Sequence, residues 1–564
     1  MSLFETKTAD NFIFDEAIDP REQLSSSTPF LKKNISYVVD QQAGNGSYTS
    51  GEVIIDSQAI ASSGSLNDWR NAYIAVSMQT KWDLVWDVAA GTITNASFAK
   101  FALALKNCSL LDSLKLEANG KTIITATQGL SQLVNFKLLS TMTPSALAKD
   151  GALIGFSPDD QGTVGDGGND TMNCANYPYG GNLTADKANT ANNGLIERQS
   201  NLIPTINTNF QSDANAKVEA GAWDYGTTLN GSTAAQTPSD LRYVAIIRLR
   251  DLHDYFDKHT LSRGVSYRFT LKFNQAVTTV LHTSSTSWST SIPTAYAFTN
   301  SQTSGSAQPA MFCVGNGTVV GEKISWVNAT TSTSTITHRI DPNTDGNARF
   351  TGIRLYVPSY DLEPSHQEKL LSTNPVIKRE FMDFMTQTTQ TYAGAGNRIN
   401  VQVSTSATNP RALIVIPRWS ATASGNDGQG YFSDVSPFAT APSTPDPLLS
   451  LTNVQIKMGS NYVLPDRQFY GFQQFLDHTS TLFALNGDQT VQTSGLITKK
   501  SFETVHRYYA FDLSRYPEAM SNLPQMIALE CDNNSPKAVE LLCILLYGRD
   551  VEFNLASGSM TITA

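Results

Sequence analysis

Residues 341–346, Asp-Pro-Asn-Thr-Asp-Gly, have the spacing of the first six positions of a calcium-binding loop. In such a loop, alternating oxygen-bearing side chains surround the ion and a glycine makes the turn. Asp341, Asn343 and Asp345 fit this pattern, but the position that needs a bidentate glutamate holds Gly352. The segment therefore predicts a polar turn. The three residues are calcium ligand candidates only if a carboxylate from elsewhere completes the site.

Other residue types that could do chemistry are scattered along the chain. The seven histidines stand singly, outside any HExxH or Cys/His pattern, which favours surface or capping roles over metal binding; they lie at positions 253, 259, 282, 338, 366, 478 and 506. Gly120-Lys121-Thr122 resembles the end of a phosphate-binding loop, yet the glycine needed five residues before Gly120 is Lys115.

Catalytic patterns are also missing from the sequence. No Gly-x-Ser-x-Gly elbow occurs, and the 50 acidic residues single out no pair for glycoside hydrolysis. We therefore predict that the chain is not an enzyme, that it has no catalytic residues and that it binds no cofactor.

The composition excludes some partners. The net charge is −10, whereas a protein that grips nucleic acid needs a basic patch. We therefore expect no sequence-specific nucleic-acid binding. The longest apolar run, 541–547, is far shorter than the roughly 20 residues that span a membrane, so we expect no membrane span.

Cysteine usage and the N-terminus both bear on the compartment. The five cysteines, at positions 108, 174, 313, 531 and 543, are odd in number and lack CxxC spacing, which predicts reduced thiols. Residues 1–30 have no basic start followed by an apolar stretch. We therefore expect synthesis inside the host cell without a signal peptide. We also expect an N-terminal arm over 1–30 that orders only against neighbours.

Strand signals dominate the chain. Short runs of β-branched and aromatic residues are separated by polar stretches rich in Gly, Asn and Ser. The Asn119-Gly120 pair in SLKLEANGKTI is a strong hairpin signal. Helical periodicity is confined to brief segments, so the sequence predicts an all-β chain with short helices in its connections.

One pattern of elements occurs twice. GLSQLVN at 129–135 matches GFQQFLD at 471–477. In both halves a strand (AYIAV, ALIVI) precedes a second one (LKL, VQI) by 42 residues, and an Arg-Tyr-x-Ala strand follows the helix. The first half is longer because of a polar Gly- and Asn-rich stretch at about 155–240, which predicts a large surface loop.

The repeat predicts two copies of one β-domain. We place the first copy at 31–345 and the second at 346–564. Each copy has about the number of strands of an eight-stranded jelly roll, a sandwich that packs two sheets face to face. The predicted fold is therefore two tandem jelly-roll β-sandwiches, a double jelly roll.

Several blocks resemble the double jelly-roll major capsid proteins of virophages and polinton-like DNA viruses. They are ISYVVDQ (35–41), SLNDWRNAYIAV (65–76), FTGIRLYVPSYDLEPSHQEKLLSTNPVIKREF (350–381) and NPRALIVIPRW (409–419). The resemblance extends over nearly the whole chain in order and spacing but not over 155–240. None of these blocks is a catalytic motif, so the resemblance implies an architecture and no site residues.

The resemblance implies a role in assembly. Three chains of two jelly rolls each would form a pseudo-hexagonal capsomer that tiles an icosahedral shell. The implied partners are further copies of the chain, neighbouring capsomers, and penton and minor capsid proteins, and the implied location is the virion.

Two other classes of function remain open from the residues alone. One is a receptor- or carbohydrate-binding β-sandwich, which should have a concave face with clustered aromatic and acidic side chains. The other is a glycan-active enzyme, which should lose activity when two acids in one cleft are replaced.

Overall fold

The structure is a computed structural model, and its strands form several antiparallel sheets. It describes residues 30–42, 48–84, 101–105, 110–159, 237–258, 261–283, 296–305, 310–314, 331–342, 352–373, 376–394, 396–419, 450–464, 467, 469–482, 494–504, 506–514, 516, 523–535, 538–554 and 558–563.

The C-terminal half is a sandwich of two sheets. Its strands are β16 (Val376–Thr388), β17 (Asn397–Ala407), β18 (Pro410–Trp419), β19 (Leu451–Met458), β20 (Asn461–Tyr462), β21 (Tyr509–Asp512), β22 (Gln525–Asn533), β23 (Val539–Asn554) and β24 (Met560–Thr563). One sheet has the order β16-β23-β18-β21, with β24 added beside β23, and the other has the order β17-β22-β19-β20.

The N-terminal half contains more strands. They are β1 (Phe30–Val39), β2 (Glu52–Asp56), β3 (Leu66–Asp68), β4 (Tyr73–Leu84), β5 (Phe101–Leu105), β6 (Leu111–Ala118), β7 (Lys121–Ile124), β8 (Thr237–Arg248), β9 (Leu261–Ser262), β10 (Tyr267–Phe273), β11 (Gln275–Thr283), β12 (Tyr296–Ser304), β13 (Ala310–Val314), β14 (Thr331–Ile340) and β15 (Arg354–Leu362). Two runs of neighbours stand out among them, β1-β15-β4-β8 and β2-β10-β6-β7.

The two halves share one topology. When β16 to β23 are counted from one to eight along the chain, their sheets have the orders 1-8-3-6 and 2-7-4-5. Counting β1, β2, β4, β6, β7, β8, β10 and β15 in the same way gives the same two orders. This interleaving of strands between two packed sheets is the jelly-roll arrangement. The predicted fold of two tandem eight-stranded jelly rolls is confirmed.

Short helices occupy the connections, as predicted. They are α1 (Gln58–Ala61), α2 (Leu130–Thr141), α3 (Pro144–Ile154), α4 (Leu249–Leu252), α5 (Asp254–Lys258), α6 (Pro364–Thr373), α7 (Phe472–Leu482) and α8 (Lys499–Thr504). The repeated GLSQLVN and GFQQFLD segments begin α2 and α7, each of which follows the fifth strand of its copy.

Turn chemistry explains two of the sequence signals. Asn119 and Gly120 both have positive φ, 47° and 79°, as the tight turn between β6 and β7 requires. In the second copy, Gln474 accepts a hydrogen bond of 3.1 Å from the backbone N–H of Gly471 and so satisfies a free donor at the start of α7. This bond is a physical reason for the glutamine three residues after the glycine.

Strand pairing does not follow the predicted division after residue 345. β15, placed by the sequence in the second copy, pairs along β1 and also with β3 and β4 of the first copy. It closes the first sandwich as its eighth strand, and the block at 350–381 therefore crosses the junction. We propose that the division lies in α6, between 362 and 376. Of the predicted arm, residues 1–29 lie outside the described part of the chain, as do residues 160–236 of the predicted surface loop.

Candidate functional site

The contact between the two sandwiches forms around α4 and α5 of the first copy. Tyr255 and Phe256 anchor α5 in the core of the first copy, where both are fully buried. The Tyr255 hydroxyl lies 2.8 Å from that of Tyr267, and the ring of Phe256 stacks on Phe269. These anchors fix the segment to the first copy, and its polar residues His253 and Asp254 contact the second copy.

The segment covers an edge of the second copy. β16 is an edge strand because β23 is its one partner among the described strands. Asp254 accepts a hydrogen bond of 2.9 Å from the backbone N–H of Met382, and the ring of Tyr255 meets Phe381 edge-on at 5.3 Å. An exposed edge strand is open to pairing with other chains. The first copy therefore protects this edge of the second.

A buried charged cluster, which we call the clasp, joins the two copies; it consists of His253, Asp254, Asp383, Tyr547 and Arg549. Oδ2 of Asp383 accepts hydrogen bonds from Nη1 of Arg549 at 2.9 Å and from the hydroxyl of Tyr547 at 3.2 Å. Oδ1 of Asp383 accepts from the backbone N–H of Phe384 at 2.9 Å and lies 3.4 Å from Nε2 of His253. The side chains of His253 and Asp383 are each only 1% exposed.

The hydrogen bonds define the protonation of the clasp. Nδ1 of His253 accepts a hydrogen bond from the backbone N–H of Tyr255 at 3.2 Å, so the ring proton is on Nε2 and is donated to Asp383. Burial alone would raise the pKa of Asp383, but the bonds from His253, from the Phe384 N–H and from Arg549 lower it overall. Asp383 is therefore ionised, and Arg549 is its cation.

A buried His–Asp pair resembles part of a catalytic triad, but its chemistry here is structural. Catalysis of that kind needs a nucleophile that the histidine can deprotonate and a place for substrate. Nε2 of His253 is occupied by Asp383, and Nδ1 is occupied by backbone. Arg549 continues to the carbonyl oxygen of Ile123 at 2.6 Å, which ties the clasp to the fifth strand of the first copy. The arrangement can fix the positions of the two copies relative to each other.

The repeated helices add an apolar contact beside the clasp. Phe136 of α2 packs against Phe475 of α7 at 6.4 Å and against Tyr508 at 5.1 Å. Nδ2 of Asn135 donates to the hydroxyl of Tyr508 at 3.1 Å, and the N–H of Leu496 donates to the carbonyl of Leu139 at 2.8 Å. The segments that revealed the repeat thus lie at the junction of the two copies.

The corresponding edge of the first copy is open. β1 is its first strand, as β16 is of the second, and among the described strands β1 pairs with β15 alone. Leu31, Ile35 and Tyr37 of β1 are 66%, 59% and 56% exposed. On β16, Val376 at the first position is 54% exposed, but Phe381 and Phe384 are 1% and 3% exposed. We call β1 with these three side chains the open edge.

Aromatic rings extend the open edge across the sheet. The ring of Tyr37 lies 5.7 Å from that of Tyr356, which stacks on Tyr73 at 5.0 Å. The guanidinium of Arg354 lies 5.4 Å from the centre of the Tyr37 ring, and Lys33 lies over Tyr360. The face is apolar and aromatic with cations at its margin. Such composition is typical of a protein interface.

The structure places only one of the three calcium candidates. Asp341 is buried, and its backbone N–H donates to the carbonyl oxygen of Ser77 at 2.9 Å. Asn343 and Asp345 lie outside the described residues, so the calcium site stays a prediction. Within the described ranges, no group of three or more His, Cys, Asp or Glu residues could hold a metal ion.

The described histidines mostly act as partners for hydrogen bonds. Nδ1 of His478 accepts from the backbone N–H of Asp512, Nε2 of His506 lies 3.1 Å from the carbonyl of Asp159, and His338 contacts the hydroxyl of Tyr243. Burial lowers the pKa of His338 to about 3, so this ring is neutral. His259 is outside the described residues, and the side chain of His282 is not described.

Burial also decides the state of the two described thiols. Cys531 and Cys543 are free, and burial raises the pKa of both, that of Cys543 to about 12. Both are therefore protonated at neutral pH, as expected of inert core cysteines.

Sequence reasoning missed the clasp. His253 was assigned a surface or capping role, and Asp383 and Arg549 were not singled out. One signal was present in REFMDF, where Arg379, Phe381 and Asp383 alternate and so share one face if the segment is a strand. When an acid such as Asp383 and a base such as Arg379 share a strand face with an aromatic residue, the pattern indicates that the charged residues are buried and paired. A local pattern does not identify a partner such as His253, which lies 130 residues away in the sequence.

Comparison with known proteins gives a likeness in fold. No family model and no curated protein sequence matches the chain. Solved structures do match. The mavirus major capsid protein is 11% identical, with 94% of this chain and 90% of that one covered and a TM-score of 0.46. The Sputnik virophage structure is also 11% identical, with 97% and 92% covered and a TM-score of 0.48.

A third solved structure, the Faustovirus major capsid protein, is 11% identical over 93% of this chain and 91% of that chain, with a TM-score of 0.42. These matches are to viral major capsid proteins, the class of protein that the sequence blocks resemble. Where the chain is described, it contains no helix long and apolar enough to cross a membrane.

Proposed function

We propose that the chain is a major capsid protein, of which three copies form a pseudo-hexagonal capsomer that tiles an icosahedral shell. The observation that carries the proposal is the contrast between the two edge strands. β16 is covered by α5 of its own chain, whereas β1, the same strand of the other copy, presents Leu31, Ile35 and Tyr37 to solvent. Among the described residues, the first strand of the second copy is thus covered and the first strand of the first copy is not.

A contact between unlike surfaces of two similar units can repeat. If the second copy of one chain covers the open edge of the next, the internal contact recurs between chains as a head-to-tail interface. Such interfaces form a closed ring when the rotation between units closes. Two units per chain and three chains give six units in the ring. The segment that would cover the open edge follows β21, as α4 and α5 follow β8, and its described part includes the 70% exposed Leu523.

The proposal is tested by the mass of the purified protein in solution. Light scattering should give three times 61.3 kDa, and electron microscopy of the same peak should show a hexagonal outline. A monomer that binds glycans on an array would contradict the proposal and favour the lectin alternative, because the open edge carries the aromatic rings that sugars stack on.

Charging the open edge should abolish the trimer without unfolding the chain. We expect Ile35→Lys with Tyr37→Lys to give a 61.3 kDa species, because lysines on an edge strand block its association. Surface substitutions of this kind change the free energy of unfolding by about 0.5 kcal/mol or less. The matched control is Tyr462→Lys, since Tyr462 is 57% exposed but lies on β20. A double variant that stays trimeric would remove the open edge from the interface.

A further inference from the structure

The clasp joins the connection after β8 of the first sandwich to two paired strands of the second, β16 and β23. His253 and Asp254 come from the connection after β8, Asp383 from β16, and Tyr547 and Arg549 from β23. Arg549 also reaches the carbonyl of Ile123 in β7. Each of these bonds either joins the two sandwiches or holds in place a residue that joins them.

Directional bonds constrain an angle in a way that apolar packing does not. The aromatic contact between α2 and α7 would tolerate a small rotation of one sandwich against the other, since burial depends on area and has no direction. Hydrogen bonds weaken steeply when their angle departs from linearity. Three bonds of the clasp cross between the sandwiches: His253 to Asp383 at 3.4 Å, the Met382 N–H to Asp254 at 2.9 Å, and Arg549 to the Ile123 carbonyl at 2.6 Å. Three more bonds to Asp383 lie within the second sandwich and hold its carboxylate, 1% exposed, in place.

We propose that the clasp is a positioning device that sets the angle between the two sandwiches, and that His253, Asp254, Asp383 and Arg549 are its positioning residues. This inference rests on the proposed capsomer, because it assigns the clasp a role in ring closure. In a head-to-tail ring, an error in the angle within each chain accumulates around the ring and leaves it open. The clasp therefore selects a closed trimer over open chains of varying length.

Burying a charged cluster costs desolvation free energy, which apolar side chains packed in the same place would avoid. An apolar replacement of a buried ion pair is often neutral or stabilising, whereas a buried polar group can specify one arrangement among several. The clasp fits the second role, because its partners come from different sandwiches and its geometry exists only when they are correctly placed.

The test removes the clasp while leaving each sandwich intact. The first variant is Asp254→Ala with Asp383→Ala. The second, milder variant is Asp383→Asn with Arg549→Gln, which leaves no unpaired charge buried. The matched control is Glu380→Ala on the same strand, because Glu380 pairs with Arg411 at an exposed site. Circular dichroism checks that the strands of all variants are folded.

Three measurements test whether the clasp couples the two sandwiches and whether the coupling is needed for ring closure. In calorimetry, the wild type and the control should unfold in one transition, and the clasp variants in two. Glutamyl endopeptidase should cut at the exposed Glu368 in the connecting helix α6 about tenfold faster in the variants, the factor that corresponds to about 1.4 kcal/mol of lost coupling. Electron microscopy should show open or mixed assemblies instead of closed rings.

Different results would overturn the two proposals. If the wild type is a monomer, the capsomer proposal fails, while calorimetry and proteolysis still judge whether the clasp couples the two sandwiches. If the wild type is a closed trimer and both clasp variants also close into uniform rings with one transition, the clasp has no positioning role. A variant that melts earlier but still closes into uniform rings would show a merely stabilising role and would overturn the inference as well.

Discussion

Replacing Arg549 with methionine is expected to lower the free energy of unfolding by about 3–5 kcal/mol at neutral pH, the usual cost of breaking a buried pair by removing one partner. The methionine fills most of the space but leaves the Asp383 carboxylate, 1% exposed, without its cation. Urea denaturation at pH 7 measures the change.

The exposed pair of Arg398 and Glu530 provides the control. Arg398 is 51% exposed, and its Nη2 lies 2.7 Å from Oε2 of Glu530. Arg398→Met should cost about 1 kcal/mol or less, because exposed ion pairs contribute little. Equal losses for the two arginines would contradict a special role for the buried one.

The loss at Arg549 should also depend on pH, with a definite sign. Burial raises the pKa of Asp383, but its interactions with His253, with the Phe384 N–H and with Arg549 outweigh burial and hold the pKa below its ordinary value of 3.8 in the folded protein. The stability from this ionised group is present above the unfolded pKa and is lost as pH falls through the folded pKa. The difference between the wild type and Arg549→Met should therefore shrink below about pH 4. A difference that stays constant from pH 7 to pH 3 would show that the charge of Asp383 is not the cause.

Replacing Phe136 with alanine is expected to cost about 3–5 kcal/mol, the usual range for emptying a buried phenylalanine site. Phe136 is fully buried in α2, and its ring contacts Phe475 and Tyr508 of the second copy. The cavity would lie at the junction, where neither sandwich can fill it alone. Thermal and urea unfolding measure the loss.

Leu153→Ala is the matched control for Phe136→Ala. Leu153 lies on the neighbouring helix α3 and is 59% exposed, so its truncation should change the free energy of unfolding by about 0.5 kcal/mol or less. A loss below about 1 kcal/mol at Phe136 would mean that the junction is loosely packed and collapses around the missing ring.

The repeat was readable from the sequence because both copies keep the same local signals. Apolar runs of strand length, the Asn119-Gly120 turn and the Gly-x-x-Gln start of α7 act within a few residues. Local chemistry of this kind is written along the chain, so it predicts elements and their order. The jelly-roll class then followed from the number and order of strands.

The division predicted after residue 345 and the division that we propose in α6 differ because strand pairing is not local. β15 has the apolar and aromatic composition of any strand, and its sequence neighbour α6 leads directly into the second copy. Its pairing with β1, more than 300 residues earlier in the chain, and with β3 and β4 assigns it to the first sandwich.

The register of the paired strands was also not predictable from the sequence and became known only from the tertiary structure. The sequence match aligns Ala245 with Ala510 and AYIAV with ALIVI. In the structure, Ala245 lies opposite Val76, the fifth residue of AYIAV, but Ala510 lies opposite Ile414, the third residue of ALIVI. One of the two matches is therefore two residues out of register. Because a strand repeats every two residues, such a shift keeps the same side chains facing the core and leaves no trace in the hydrophobic pattern.

By itself, the sequence determined that this protein is an all-β chain of two similar sandwiches with short helices, since those properties depend on patterns a few residues long. The tertiary structure decided which strand completes each sandwich and that Asp383 meets His253 and Arg549. It also decided that one edge strand is covered, while its counterpart β1 has β15 as its one partner among the described strands. These contacts join residues up to hundreds of positions apart, and their geometry depends on the packing of whole sheets.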